Sequence, residues 1–157
     1  MKKNKCKIIY LVLVLIWMIA VFMFSSQNGE ESQNTSGKIT ELIVRILTHP
    51  EKITESERLE LIENTDYYIR KFAHYSIYTL GGILIYNFIN TYNISSKKVI
   101  LISILIGVIY AISDESHQYF TAGRSAKILD VLIDSFGIIT GIIIINRIRK
   151  AKKPLYN

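Results

Sequence analysis

The chain has 157 residues, half of them hydrophobic, which suits one compact domain and leaves little for a second. Its single cysteine, Cys6, excludes an intrachain disulfide and a cysteine-based metal cluster. The net charge of +6 would suit nucleic acid, but the basic residues gather where apolar blocks begin and end, at Lys2, Lys3, Lys5 and Lys7, at Lys97 and Lys98, and from Arg147 to Lys153; that pattern excludes a nucleic-acid face and reads as orientation signals and lipid-headgroup contacts.

The first apolar block, Ile8 to Phe24, holds no charged residue and is slightly short of the roughly 20 residues that cross a hydrocarbon core. A lysine-rich start before an apolar run also describes a cleaved signal peptide. The run ends Met23, Phe24, Ser25, Ser26, Gln27, without the small-x-small pattern of a cleavage site, so an uncleaved anchor is expected.

A polar segment follows, with nine acidic side chains between 28 and 69. Ile39, Leu42, Ile43, Ile46 and Leu47 fall on one stripe of a helix that ends before Pro50. Thr54 and Glu57 have capping-box spacing ahead of Leu59, Leu61 and Ile62, which predicts a second short helix. Both helices suit the membrane surface or the mouth of a bundle; folding back over the bundle is the preferred reading, because the segment lacks the lysines of a lipid-binding helix.

Three further spans are predicted at about 72–89, 99–113 and 128–145, with a short turn, Asn90 to Lys98, that makes the second and third antiparallel neighbours. The expected fold is therefore all-α: a polytopic membrane helical bundle with four transmembrane helices and an extracytoplasmic helical segment, 25–71, between the first and second. Counting positive flanks places both termini and the Lys97/Lys98 turn in the cytoplasm, so the acidic segment and the loop around Arg124 face outward.

With this topology four helix ends deliver polar side chains to one outer layer. Arg70, His74, Tyr78 and Gly81 share a face of the second span, as Gly107, Tyr110, Asp114 and His117 do on the third. On the fourth, Asp130, Asp134, Gly137 and Gly141 form a stripe that is carboxylate at its outer end and small at its inner end; glycines four apart predict close packing on another helix, which would carry the carboxylates inward. An isolated charge at the depth of Asp134 costs at least about 3 kcal/mol, so it must be paired, protonated or facing a wet cavity.

The stretch YAISDESHQYFTAGRSAKILDVLIDSFGIITG, Tyr110 to Gly141, strongly resembles the signature of the VanZ-like membrane proteins, and FSSQ at Phe24 to Gln27 and RKFAHYSIYTLG at Arg70 to Gly81 resemble that family's two earlier motifs. The likeness covers nearly the whole chain in the same order. Carried over by position, the family's polar motif residues fall on Ser26, Lys71, His74, Tyr78, Asp114, Glu115, His117, Gln118, Gly123, Arg124, Asp130 and Gly137. Thr121 and Ala122 stand where the family often has Val or Ile followed by Pro. The resemblance implies a role in the cell envelope and, through the protein for which the family is named, an association with low-level resistance to the glycopeptide teicoplanin in Gram-positive bacteria.

Three functional readings compete. In the first, the outer layer binds or modifies an anionic envelope component, such as a lipid-linked precursor or polyprenyl phosphate: Ser26, Arg70, Lys71, Tyr78, Gln118, Arg124 and Asp134 bind, while His74, Asp114, Glu115, His117 and Asp130 handle protons. In the second, His74, His117, Asp114 and Glu115 or Asp130 hold a hydrolytic metal, although DESHQ lacks HExxH spacing and no residue is assigned as a metal ligand. In the third, the chain is a scaffold or accessory protein whose polar layer serves only folding. No cofactor, oligomeric state or enzymatic assignment follows from the sequence.

Overall fold

An apolar segment in lipid must close its backbone hydrogen bonds within itself, and helices do so. The structure, a computed structural model, describes residues 2–47, 54–121 and 127–152, and all the regular structure among them is helical. Five helices follow one another: α1 (Lys2–Ser25), α2 (Gly29–Leu47), α3 (Glu55–Ile89), α4 (Ser96–Tyr119) and α5 (Ile128–Ala151). Three of them, over Asn4–Ser25, Ser96–Tyr119 and Ile128–Ala151, are long and apolar enough to cross a membrane. The segment expected as a fourth crossing, 72–89, is the C-terminal half of α3 and is less apolar than those three, carrying His74, Tyr75, Tyr78, Thr79 and Asn87.

The short helix expected from Thr54 and the span expected from residue 72 form one 35-residue helix. Nothing between Ile62 and Phe72 interrupts it: the stretch has neither Gly nor Pro, and Arg70 pairs with Asp66 one turn back at 3.1 Å. Its start is the expected capping box. Thr54 takes the Glu57 amide on its hydroxyl, and Glu57 takes the Thr54 amide on its carboxylate at 2.8 Å. The Thr54 amide, then its hydroxyl, hold the exposed Glu57 carboxyl below the usual carboxylate range.

α2 folds back along the first half of α3. It packs through Thr40 and Val44, beside the predicted apolar stripe; Ile39, Leu42 and Ile46 of that stripe remain exposed. Thr40 donates to Asp66 at 3.0 Å, and Arg58 reaches Glu41 at 2.8 Å. The outer surface of the bundle is apolar, as a lipid-facing surface requires, and its interior joins a hydrophobic core that includes Trp17, Ile85, Ile138 and Ile142 to buried polar groups. Ile16, Ile19, Leu105, Ile109, Leu132 and Phe136 are exposed, while Ser103, Asp114 and Asp134 are buried.

α3 touches every other helix, and its most extensive contact is with α5. The two run parallel: Lys71 meets Asp130, Tyr75 meets Thr140, Tyr86 meets Asn146 and Asn87 meets Arg149. Glycine makes this approach possible. A Cβ on Gly137 would lie 2.6 Å from the Tyr75 carbonyl oxygen, and one on Gly141 would overlap the Thr79 carbonyl. α1 docks through Trp17, whose indole N–H donates to the Ile77 carbonyl at 2.9 Å and whose ring lies on Gly81, filling the space that a side chain there would need.

Gly141→Ala forces α5 away from the α3 backbone and should cost about 1–3 kcal/mol. Gly37→Ala, in an open stretch of α2 with nothing within 4 Å of an added Cβ, should be neutral or gain up to about 1 kcal/mol of helix propensity. Thermal unfolding of the two purified variants in one detergent compares them; equal midpoints would refute the close α3–α5 approach.

Candidate functional site

The parallel register of α3 and α5 sets basic groups against carboxylates one turn at a time. Lys71 Nζ contacts Asp130 Oδ1. The next turn places His74 Nδ1 3.5 Å from Asp134 Oδ1, beyond a formed hydrogen bond but within reach of one proton shared between them. Asp134 is 0% exposed, and neither of its oxygens has a hydrogen-bond partner. A turn deeper, α4 enters: the Tyr78 hydroxyl donates to Asp114 Oδ2 at 3.0 Å, and Gln118 Nε2 donates to the same oxygen at 3.2 Å. Asp114 Oδ1 is left buried and unpartnered. His74, Asp134, Tyr78 and Asp114 thus converge where three helices meet.

Two other predicted residues have different tasks. Glu115 Oε1 accepts the Lys127 backbone N–H at 2.6 Å, so its carboxylate ties the end of α4 to the start of α5. Ser26 and His117 form a pair of their own: Ser26 Oγ lies 3.1 Å from His117 Nε2, and the imidazole stacks on Phe22. Ser26 Oγ also lies 2.7 Å from the Phe22 carbonyl, so the carbonyl and the ring nitrogen both face its one proton, and the tautomer of His117 sets which of them takes it.

Between α1, α2, α3, α4 and the start of α5 opens a cleft of about 670 Å³. Val21, Phe24, Ile39, Ile77 and Leu80 give it an apolar wall; Arg70, Lys71, His74, Asp114, Gln118 and Asp130 give it a polar end. Ser26 and His117 stand outside its lining, as does Asp134, which lies behind His74. Arg124 and Gly123 fall outside the described residues.

A family model described as VanZ/LLP1 matches residues 10–149. The chain belongs to that family. No curated protein and no solved structure gives a significant match. The family match spans α1 to α5 and therefore covers every side chain of the cleft.

Several participants escape a residue-by-residue reading of the motifs. Asp66 is buried, bonded to both Thr40 and Arg70, and its spacing four residues before Arg70 would mark it once α3 is read as one helix. Ser25 turns a buried hydroxyl to the cleft, and Tyr75 donates to Thr140 at 3.0 Å. Among the described residues no group of three or more His, Cys, Asp or Glu is arranged to hold a metal ion. The two histidines of the ligand set considered from the sequence have separate partners, Asp134 and Ser26.

His74→Ala removes the group that faces Asp134 and leaves that carboxylate buried without a counterpart. It should destabilise the protein by about 3–5 kcal/mol. His74→Ala combined with Asp134→Asn should recover at least half the loss, a coupling energy of about 1.5–3 kcal/mol in a double-mutant cycle of thermal unfolding in detergent. Strictly additive effects would show that the two side chains act independently.

Proposed function

We propose that this VanZ-family protein crosses the cell membrane four times, the C-terminal half of α3 being one crossing, with both termini in the cytoplasm and α2 and the first half of α3 outside. The distribution of positive flanks supports this orientation, and the buried polar face of α3 supports the fourth crossing: its His, Tyr and Asn side chains turn toward other helices rather than lipid. The natural Cys6 offers a direct test. A membrane-impermeant maleimide should label Asn64→Cys in a Cys6→Ser background on intact cells, and should label native Cys6 only after permeabilisation. The opposite pattern refutes the orientation.

Within that topology the cleft holds the anionic head of a lipid-linked envelope component, of the polyprenyl phosphate kind, at the outer leaflet. The observation that carries this reading is the joining, in one cavity, of an apolar wall to an end bearing Arg70, Lys71 and His74. An amphiphile needs both at once: area for its chain and charged donors for its phosphate. Lys71 and Arg70 already have carboxylate partners in Asp130 and Asp66, so a phosphate binds by exchanging with them, and the carboxylates set a threshold that rejects neutral heads. His74 in the cleft wall, backed by the buried Asp134, can accept or return a proton as the head's charge changes.

Lys71→Gln and Arg70→Gln should each lower retention of polyprenyl phosphate by the purified protein roughly tenfold, the loss of one charge-assisted contact, with membrane abundance unchanged. The same variants should lose any protection against teicoplanin that the intact chain confers on a susceptible Gram-positive host. Retention at the wild-type level in both variants would end the binding assignment.

A further inference from the structure

The opposite end of the bundle carries a second cavity that the reading above does not use. It lies where α1 begins and α3 and α5 finish, has a volume of about 480 Å³, and is lined by Tyr86, Asn87, Asn146, Arg149, Lys150 and Lys152 among others. Its position follows from the parallel register of α3 and α5, which brings Asn87 beneath Arg149 and Tyr86 beside Asn146. The segments at this end, residues 2–7, 97–98 and 147–152, hold ten of the nineteen basic residues in the chain and none of its thirteen acidic side chains. Among the described side chains, the carboxylates lie at 41–66, 114–115 and 130–134, toward the other end.

The geometry makes this more than a solvated basic fringe. Asn87, 7% exposed, accepts both Arg149 Nε at 3.0 Å and Arg149 Nη2 at 2.6 Å on one amide oxygen, which fixes the plane of the guanidinium. The Tyr86 hydroxyl donates to the Asn146 amide oxygen at 3.0 Å. The amide oxygens of Asn87 and Asn146 are thereby engaged, and the lining offers three cations together with the polar side chains of Tyr10, Asn90 and Ser96. Among the described residues no carboxylate pairs with Arg149, Lys150 or Lys152. A donor-rich pocket with unpaired cations selects a ligand that only accepts hydrogen bonds and carries negative charge.

We propose that this pocket is a phosphate site filled by the headgroup of an anionic phospholipid from the leaflet on that side. The pocket borders the lipid-facing surface of α5, where Ile144 and Ile148 are exposed, so the phosphate of a lipid reaches Arg149 while its chains lie along that helix. Asn87 is a positioning residue: it aims the guanidinium without supplying charge.

The test uses the full-length protein in nanodiscs of phosphatidylcholine doped with phosphatidylglycerol, with bound lipid counted by native mass spectrometry after detergent release. The wild type should retain phosphatidylglycerol over phosphatidylcholine. Lys150→Gln/Lys152→Gln, which removes no side-chain hydrogen bond or ion pair among the described residues, should lower that retention roughly tenfold or more, each cation near the surface being worth about a factor of five. Arg149→Gln should do the same, and Asn87→Ala should weaken retention while keeping every charge. Lys97→Gln/Lys98→Gln removes equal charge at the same end outside the pocket and should have the smaller effect; an equal effect would mean diffuse attraction and overturn the site. Displacement of the lipid by millimolar inorganic phosphate would assign the pocket to a soluble phosphate and overturn the lipid reading. Lys38→Gln removes a cation from the exposed face of α2, outside both cavities, and should leave this retention intact; the cleft reading is judged separately by retention of polyprenyl phosphate, so failure of one site is separable from failure of the other.

Discussion

The close approach of α3 and α5 is the contact on which the rest of the molecule depends. In lipid there is no hydrophobic reward for bringing two apolar helices together, and association relies on packing between backbones and on polar contacts across the interface. Gly137 and Gly141 supply the first by removing the side chains that would strike the Tyr75 and Thr79 carbonyls. The second comes from pairs that rise in step along the two helices, from Lys71 and Asp130 to Asn87 and Arg149. Because the helices are parallel, one register serves both ends, and it sets the cleft at one end and the pocket at the other together.

The same contact explains how carboxylates come to be buried. Burying Asp134 costs at least about 3 kcal/mol if it is left charged and alone. Its position on the stripe that contains Gly137 and Gly141 makes that burial unavoidable once those glycines have docked. The sequence compensates on the facing helix, where His74 lies opposite Asp134 and Lys71 opposite Asp130. α4 adds Asp114 against Tyr78, and α1 closes the bundle with Trp17 on Gly81, an aromatic plug bonded to a backbone carbonyl.

Helical periodicity made the polar faces legible, because which residues share a face depends on spacing alone. The stripes through His74 and Tyr78, through Asp114, and through Asp130 and Asp134 all meet at the interface. Partner choice was not legible, since it depends on the rotation and register of separate helices: spacing cannot tell that His117 meets Ser26 rather than Asp114, or that Glu115 holds the Lys127 amide. The continuity of α3 was obscured by the good capping box at Thr54, which announces a start and says nothing about length. The packed face of α2 was misleading for a different reason. A row of isoleucines and leucines reads as a core, but beside a membrane the row at Ile39, Leu42 and Ile46 can stay outside while Thr40, whose hydroxyl needs Asp66, goes in.

A polar layer that served only cohesion and one that serves a ligand differ in what they leave unbonded. Cohesion is best achieved by groups that satisfy one another, as Tyr75 and Thr140 do, or Tyr86 and Asn146, because an unmade hydrogen bond in a buried place costs more than a made one returns. Around the Asn87–Arg149 end of the bundle, Tyr86 and Asn146 follow that rule. At the end with the cleft the pattern differs: Ser25 Oγ, His74 Nδ1, Asp114 Oδ1, Glu115 Oε2 and both oxygens of Asp134 are buried without hydrogen-bond partners. These orphans sit on four different helices, with Ser25, His74 and Asp114 in the cleft lining, and a change in a single helix angle would not relieve them all. Capacity left open in this way favours a site that waits for protons, water or a ligand over a layer that is complete in itself.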